Sequence, residues 1–190
     1  AGGQSAALRF VSPDAAGSRI ILHVDQLPAA AQVRFISEAT DDEFTITGEE
    51  IINTISLDRG TQPRYVGPHM EGESTIVEIH LPAGVDPEKV QLSVPLMTHI
   101  YLSEQAIEQH YRNQDLSCMV NAACSAEHDI DSRAVAAINF HSNGYSYVCS
   151  GTLLNDMGDT GTPNFITAHH CIGTQAEAST MESRWLYRTT

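Results

Sequence analysis

The 190-residue sequence is poor in basic and aromatic residues: it has one lysine (Lys89), nine arginines and one tryptophan, and its aromatic content is 6%. Acidic residues number 24, so the formal net charge at pH 7 is −14 with neutral histidines. Such a charge repels phosphate backbones, and a single lysine offers no basic surface to anionic membranes. We therefore expect neither nucleic-acid nor membrane partners.

Long hydrophobic runs are also missing. No stretch approaches the roughly 18–20 apolar residues that a membrane-spanning helix needs. The first residues have neither the basic region nor the apolar core of a signal peptide, so we expect that any such peptide has already been removed.

Cysteine is absent before residue 118, and the four cysteines are Cys118, Cys124, Cys149 and Cys171. An even number is compatible with disulfides, but four cysteines allow three pairings and their spacing does not choose among them. Two interpretations compete at this point, an oxidised exported protein and a reduced protein with a metal site.

Short alternating segments dominate residues 1–102. Val77, Ile79 and Leu81 alternate with Ile76, Glu78 and His80, which is the period of a half-buried strand. Turn residues separate the segments, and this pattern predicts an antiparallel β-sandwich over residues 1–102. Its strands are expected at residues 6–12, 18–25, 31–37, 43–47, 74–81 and 90–96.

A short polar segment follows the sandwich. Ser103 is a suitable N-cap, and Ile107 and Tyr111 fall on one helical face, so residues 103–112 are predicted to be a linker helix. Strand patterns then resume, which makes the predicted fold all-β. Further strands are expected at residues 134–140, 145–154, 164–167 and 183–187.

The most informative string is Thr-Ala-His-His-Cys at residues 167–171. A hairpin would bring Cys149, on the preceding strand, to within disulfide distance of Cys171. An imidazole exchanges its proton near neutral pH, so a histidine beside such a crosslink could serve as a general base.

A zinc site is the competing interpretation. His169, His170, Cys171 and Cys149 supply suitable ligand atoms. Adjacent side chains of a strand point to opposite faces, however, so His170 and Cys171 are not expected to reach one ion. Cys118 and Cys124 also lack the spacing of a zinc knuckle. We therefore predict no metal and no cofactor.

The string at residues 167–171, together with Cys-Ser-Gly-Thr-Leu-Leu at residues 149–154, resembles the catalytic-histidine region of chymotrypsin-like serine proteases. The doubled histidine and the segment around Cys118 and Cys124 are most similar to the bacterial lysyl endopeptidase-like branch. The resemblance implies a trypsin-like β-barrel, a protein or peptide substrate and secretion. It implies that His170 is the catalytic base and that Cys149 bonds to Cys171. It does not settle the pairing of Cys118 and Cys124.

The serine and the aspartate of a Ser-His-Asp triad are not found after His170. Glu177 and Glu182 are the only acidic residues after His170, and Ser179 is not flanked by the glycines of a Gly-x-Ser-x-Gly nucleophile motif. We therefore expect residues 113–190 to be the first part of the protease domain, with its C-terminal part missing, and this chain alone to be inactive.

Residues 1–102 are predicted to be a prodomain or accessory domain, because they precede the protease segment and part of their sequence resembles N-terminal regions of secreted proteases of this branch. Cleavage between Arg112 and Asn113 would separate the two parts. The alternative is a secreted domain without catalysis, acting as an inhibitory propeptide or binding a surface or carbohydrate.

Overall fold

The computed structural model of the chain describes residues 2–57, 64–103, 106, 126–158 and 160–186. The chain divides into two units, Ala1–Glu108 and Gln109–Thr190. Antiparallel strands form most of the regular structure in both, which confirms the all-β fold class. None of the helices in the described residues has both the length and the apolar character that a membrane crossing requires.

The described part of the first unit contains β1 (Gln4–Val11), β2 (Gly17–Gln26), β3 (Gln32–Ser37), β4 (Glu43–Thr47), β5 (Arg64–Val66), β6 (Met70–Glu71), β7 (Ser74–Leu81) and β8 (Gln91–Ile100). One sheet has the order β1-β7-β3-β4. In the other, β2 pairs with β8 along one edge and with β5 and β6 along the opposite edge. The six strands predicted for this region are present close to their expected bounds.

The two sheets share one hydrophobic core, as a β-sandwich requires. Val33 and Phe35 alternate with half-exposed or exposed residues along β3 and are fully buried. The cluster contains side chains from both sheets and from the segments that join them. Its buried members are Ile20, Leu22, Val24, Leu27, Ala31, Val33, Phe35, Ile51, Tyr65, Met70, Val77 and Leu81.

The prediction of strands and turns alone for residues 1–102 misses a helix, α1 (Gly48–Leu57). Thr47 and Glu50 form reciprocal bonds at its start: Glu50 N–H donates to Thr47 Oγ1 at 3.2 Å, and Thr47 N–H donates to Glu50 Oε2 at 2.9 Å. This is a capping box. Ile51 is fully buried and Ile55 packs against the core, so one face of α1 covers the sandwich.

The predicted linker helix can be assessed only at its start. The backbone N–H of Ala106 donates to Ser103 Oγ at 3.1 Å, which is the bond of an N-cap. The rest of that helix lies outside the described residues. The same is true of Arg112, Asn113, Cys118 and Cys124.

The described part of the second unit contains α2 (Asp129–Ser132), β9 (Val135–Ser142), β10 (Tyr145–Leu154), β11 (Asn164–Thr167), α3 (Gln175–Ala178) and β12 (Glu182–Trp185). Its strands form one antiparallel sheet in the order β11-β10-β9-β12. All four strands predicted for this region are present.

A two-residue turn sets the register of this sheet. Asn143 and Gly144, between β9 and β10, both have positive φ, 51° and 89°. Two such residues are typical of a type I′ hairpin turn, and glycine adopts this conformation without strain. Ser142 therefore pairs with Tyr145. The same register places Cys149 opposite Ile138, in the middle of the sheet.

Candidate functional site

The predicted disulfide between Cys149 and Cys171 is present, with an S–S distance of 2.01 Å and a Cα–Cα distance of 6.3 Å. Gly151 pairs with Thr167 at the last position of β11, after which the chain leaves the ladder. The backbone N–H of Cys171 then donates to the carbonyl of Ala168 at 2.9 Å. This turn brings Cys171 back against β10, where it is buried.

Both histidines of the turn are exposed, but their surroundings differ. A ring nitrogen of His170 lies within 4.8 Å of the sulfurs of Cys149 and Cys171. The ring of His169 lies near Gly173 instead, where an added Cβ would come within 3.3 Å of His169 Cε1. His170 is thus tethered next to the crosslink at the end of a strand, with its imidazole open to solvent for proton exchange.

The geometric reason given against zinc was wrong. His170 and Cys171 do not occupy opposite faces of a strand, because β11 ends at Thr167 and both lie in the turn. Their ligand atoms and that of Cys149 are mutually close. The two sulfurs are bonded to each other, however, so neither is a thiolate. His170 alone of the three retains an ordinary metal-binding atom.

Two aromatic rings meet over small residues beside the disulfide. A Cβ on Gly151 would lie 2.3 Å from ring atoms of Phe165, so only glycine fits under this ring. Gly151 pairs with Ala136, and Ala136 pairs with Trp185. The rings of Phe165 and Trp185 meet edge to face with centroids 5.9 Å apart. The glycine of the motif at residues 149–154 therefore has a packing role.

A carboxylate that was not predicted as part of the site holds the segment after Cys171. Glu177, in α3, accepts through Oε2 from the backbone N–H groups of Gly173 and Thr174, at 2.9 and 3.0 Å. Its Oε1 accepts from Ser142 Oγ, at the end of β9, at 2.7 Å. One side chain thus connects the sheet to the loop that follows the two histidines.

These hydrogen bonds also affect the charge of Glu177. The bonds from Ser142 and then from the Gly173 backbone lower the pKa of its carboxyl group, because they stabilise the ionised form. The segment just after α3 is also attached to β9: the backbone N–H of His141 donates to Thr180 Oγ1 at 2.8 Å.

Part of this network has a signal in the sequence. Thr174 and Glu177 form a capping box, with Glu177 N–H donating to Thr174 Oγ1 at 3.2 Å, and the spacing Thr-x-x-Glu is its usual signature. The bond from Ser142 has no such signal, since the two residues are 35 positions apart in the sequence.

Both parts of the chain match family models of known proteins. Residues 1–101 match the family model described as "Lysyl endopeptidase N-terminal domain", and residues 112–190 match "Lysyl endopeptidase, C-terminal domain". The chain belongs to the lysyl endopeptidase family. This confirms the resemblance that was based on the motifs around His170 and Cys149.

A lysyl endopeptidase of Pseudomonas aeruginosa is among the relatives in this family. It is 35% identical over 157 residues, which cover 77% of this chain and 34% of the relative. The chain thus spans about a third of the length of this curated relative. No solved structure matches the chain.

Proposed function

We propose that this chain carries the general base of a secreted serine endopeptidase, and that the base is His170. The observation that carries the proposal is the exposed imidazole beside the Cys149–Cys171 disulfide, within a chain of the lysyl endopeptidase family. Secretion is supported by that disulfide, since disulfides persist in oxidising compartments.

In the complete enzyme, His170 would accept the proton of a serine hydroxyl as the oxygen attacks the peptide carbonyl. It would then give this proton to the leaving amine. We propose that the serine and the triad aspartate belong to further residues of the full-length protein. The 190 residues alone are then inactive. The acidic residues after His170 are Glu177 and Glu182, neither of which is an aspartate, and Ser179 lacks the flanking glycines of a nucleophile motif.

The substrate is a protein or peptide. The name of the Pseudomonas aeruginosa relative makes lysyl bonds the first to test.

We propose that the first unit is a prodomain, released by cleavage between Arg112 and Asn113. The two family models support this position, because one ends at residue 101 and the other begins at residue 112. Amino-terminal sequencing of the mature secreted protein should give Asn113. A mature protein that still begins within the β-sandwich would contradict the proposal.

The experiment that tests the base compares His170→Ala with His169→Ala in the full-length protein. We expect His170→Ala to lower kcat for a lysyl peptide by about a thousandfold or more, because the serine loses its proton acceptor. His169 is the matched control, since it is adjacent, equally a histidine and also exposed, and most activity should survive its replacement. Equal losses in the two variants would rule out the assignment.

A further inference from the structure

The segment that carries His170 is held at three points. On its N-terminal side, Thr167 Oγ1 donates to the carbonyl of Ser150 at 2.8 Å. In the middle, Cys171 is bonded to Cys149. On its C-terminal side, the carboxylate of Glu177 accepts hydrogen bonds from the backbone N–H groups of residues 173 and 174. The first two restraints belong to the β10–β11 hairpin, and the third connects the segment to β9.

The contacts of Glu177 exceed those of a local helix cap. Four donors converge on its two oxygens: two backbone N–H groups, Thr174 Oγ1 at 3.0 Å, and Ser142 Oγ. An ionised carboxylate is the side chain that accepts all four, because it has only acceptor sites. Thr180, two residues after the end of α3, is also attached to β9 through its bonds with the backbone of His141. The loop is therefore anchored to a strand and not only to the short helix.

A disulfide alone leaves rotational freedom in the turn. Cys171 fixes one Cα near β10, but the backbone on either side can still pivot about the side chains of the crosslink. His170 immediately precedes this pivot, and the residues held by Glu177 follow it within three positions. Fixing both sides of Cys171 fixes the direction in which the His170 side chain leaves the backbone.

From this geometry we infer that Glu177 is a positioning residue, which orients the His170 imidazole by holding the loop at Gly173 and Thr174 against β9. The inference rests on the proposed role of His170 as the base. The lowered pKa of the Glu177 carboxyl supports it, since the group stays ionised, and so keeps all its acceptors, wherever such an enzyme works near neutral pH.

The test uses three variants of the full-length protein: Glu177→Ala, Glu177→Gln and, as a control, Glu127→Ala. Glu127 is an exposed glutamate of the same unit. Active sites are counted with a serine-reactive fluorophosphonate allowed to react to completion, so that kcat is expressed per competent site. This separates a misplaced base from a smaller amount of folded enzyme.

We expect Glu177→Ala to lower kcat per titrated site by about tenfold or more with KM within about twofold, because a small displacement of a catalytic group is costly. Glu177→Gln should stay within about threefold of the wild type, since its amide oxygen still accepts from the loop. Glu127→Ala should match the wild type.

An unchanged kcat per site in Glu177→Ala overturns the inference, even if fewer sites are titrated, because Glu177 would then serve stability alone. A loss in Glu127→Ala as large as that in Glu177→Ala also overturns it, since the effect would then not depend on the contacts of Glu177. Failure of the proposed function is distinguishable: in that case the wild type does not cleave peptides, or His170→Ala remains active.

Discussion

The two units of this chain hold their strands together in different ways. In the first unit, twelve buried side chains form one continuous cluster, and Ile20 and Phe35 are both 0% exposed. In the described part of the second unit, the buried hydrophobic residues are Ala136, Ile138, Phe140 and Cys171. The relative solvent exposure is at least 40% at the following residues of β9, β10 and β11: Val135, Tyr145, Tyr147, Val148, Leu153, Leu154 and Ile166.

This difference indicates which interactions stabilise the described part of each unit. A sandwich with a shared core gains most of its stability from apolar burial. The described residues of the second unit bury fewer apolar side chains, so specific bonds have more influence on the geometry of this sheet. The bonds that fix the turn around His170, the Cys149–Cys171 disulfide and the carboxylate of Glu177, are of this kind.

The largest effect is expected from Phe35→Ala. Phe35 is fully buried, and its ring packs against Tyr65 with centroids 6.3 Å apart. Removing it leaves a cavity in the core, and we expect the free energy of unfolding of the first unit to fall by about 3–5 kcal/mol. Circular dichroism in a urea titration would measure this loss through the first unit's own transition.

Phe140→Ala is the matched variant in the second unit. Phe140 is 3% exposed, but it stacks on Tyr147, which is 45% exposed, so neighbouring groups can move into the space. We expect a clearly smaller loss, followed by the fluorescence of Trp185, the single tryptophan of the chain. Equal losses for the two phenylalanines would contradict the comparison between the units.

The next largest effect is expected from the double substitution Cys149→Ser and Cys171→Ser. The crosslink joins residues 22 positions apart. By restricting the unfolded chain, a crosslink that closes a loop of this size raises the free energy of unfolding by about 3 kcal/mol. The Trp185 transition should move to lower urea by a corresponding amount, while the core around Phe35 keeps its protection from hydrogen exchange.

Reductant provides the control for this experiment. Dithiothreitol should shift the Trp185 transition of the wild type toward that of the double variant. It should leave the double variant unchanged, unless Cys118 and Cys124 also contribute a bond. A wild type whose transition does not respond to reduction would show that the crosslink contributes little to the stability of the second unit.

The sequence predicts the longer strands of both units well, because their signals are local, whereas the short strands β5 and β6 were not predicted. Alternation identifies β7 and β8, and the motif at residues 149–154 coincides with part of β10. The disulfide could also be expected, since a hairpin brings two strands of known order together. The strands need only the period of the pattern, whereas the choice of Cys149 and Cys171 as partners also used the resemblance to the protease family.

Two of the features that the sequence analysis missed contain the same local motif. α1 begins with a capping box at Thr47 and Glu50, and the loop after His170 is held by another at Thr174 and Glu177. The isoleucines of α1 favour strands by intrinsic preference, and the packing of Ile51 and Ile55 against the core overrides that preference. The bond from Ser142 depends on tertiary packing, so no local pattern encodes it.

The smallest effect concerns acid, and it tests the second unit's dependence on one charge. The pKa of Glu177 is lowered from its ordinary value of 4.5, first by Ser142 and then by Gly173. A carboxyl group whose pKa is lowered by folding stabilises the folded loop at any pH above its ordinary pKa. This contribution is lost as the pH falls through the pKa of the folded state. As the pH falls below the ordinary value of 4.5, the amides of Gly173 and Thr174 should therefore lose protection, measured by hydrogen exchange relative to their intrinsic rates. The amide of Phe35 in β3 should keep its protection over the same range. Glu177→Gln removes the titrating group, so the loop amides of that variant should show no such pH dependence; if they do, another group controls the loop.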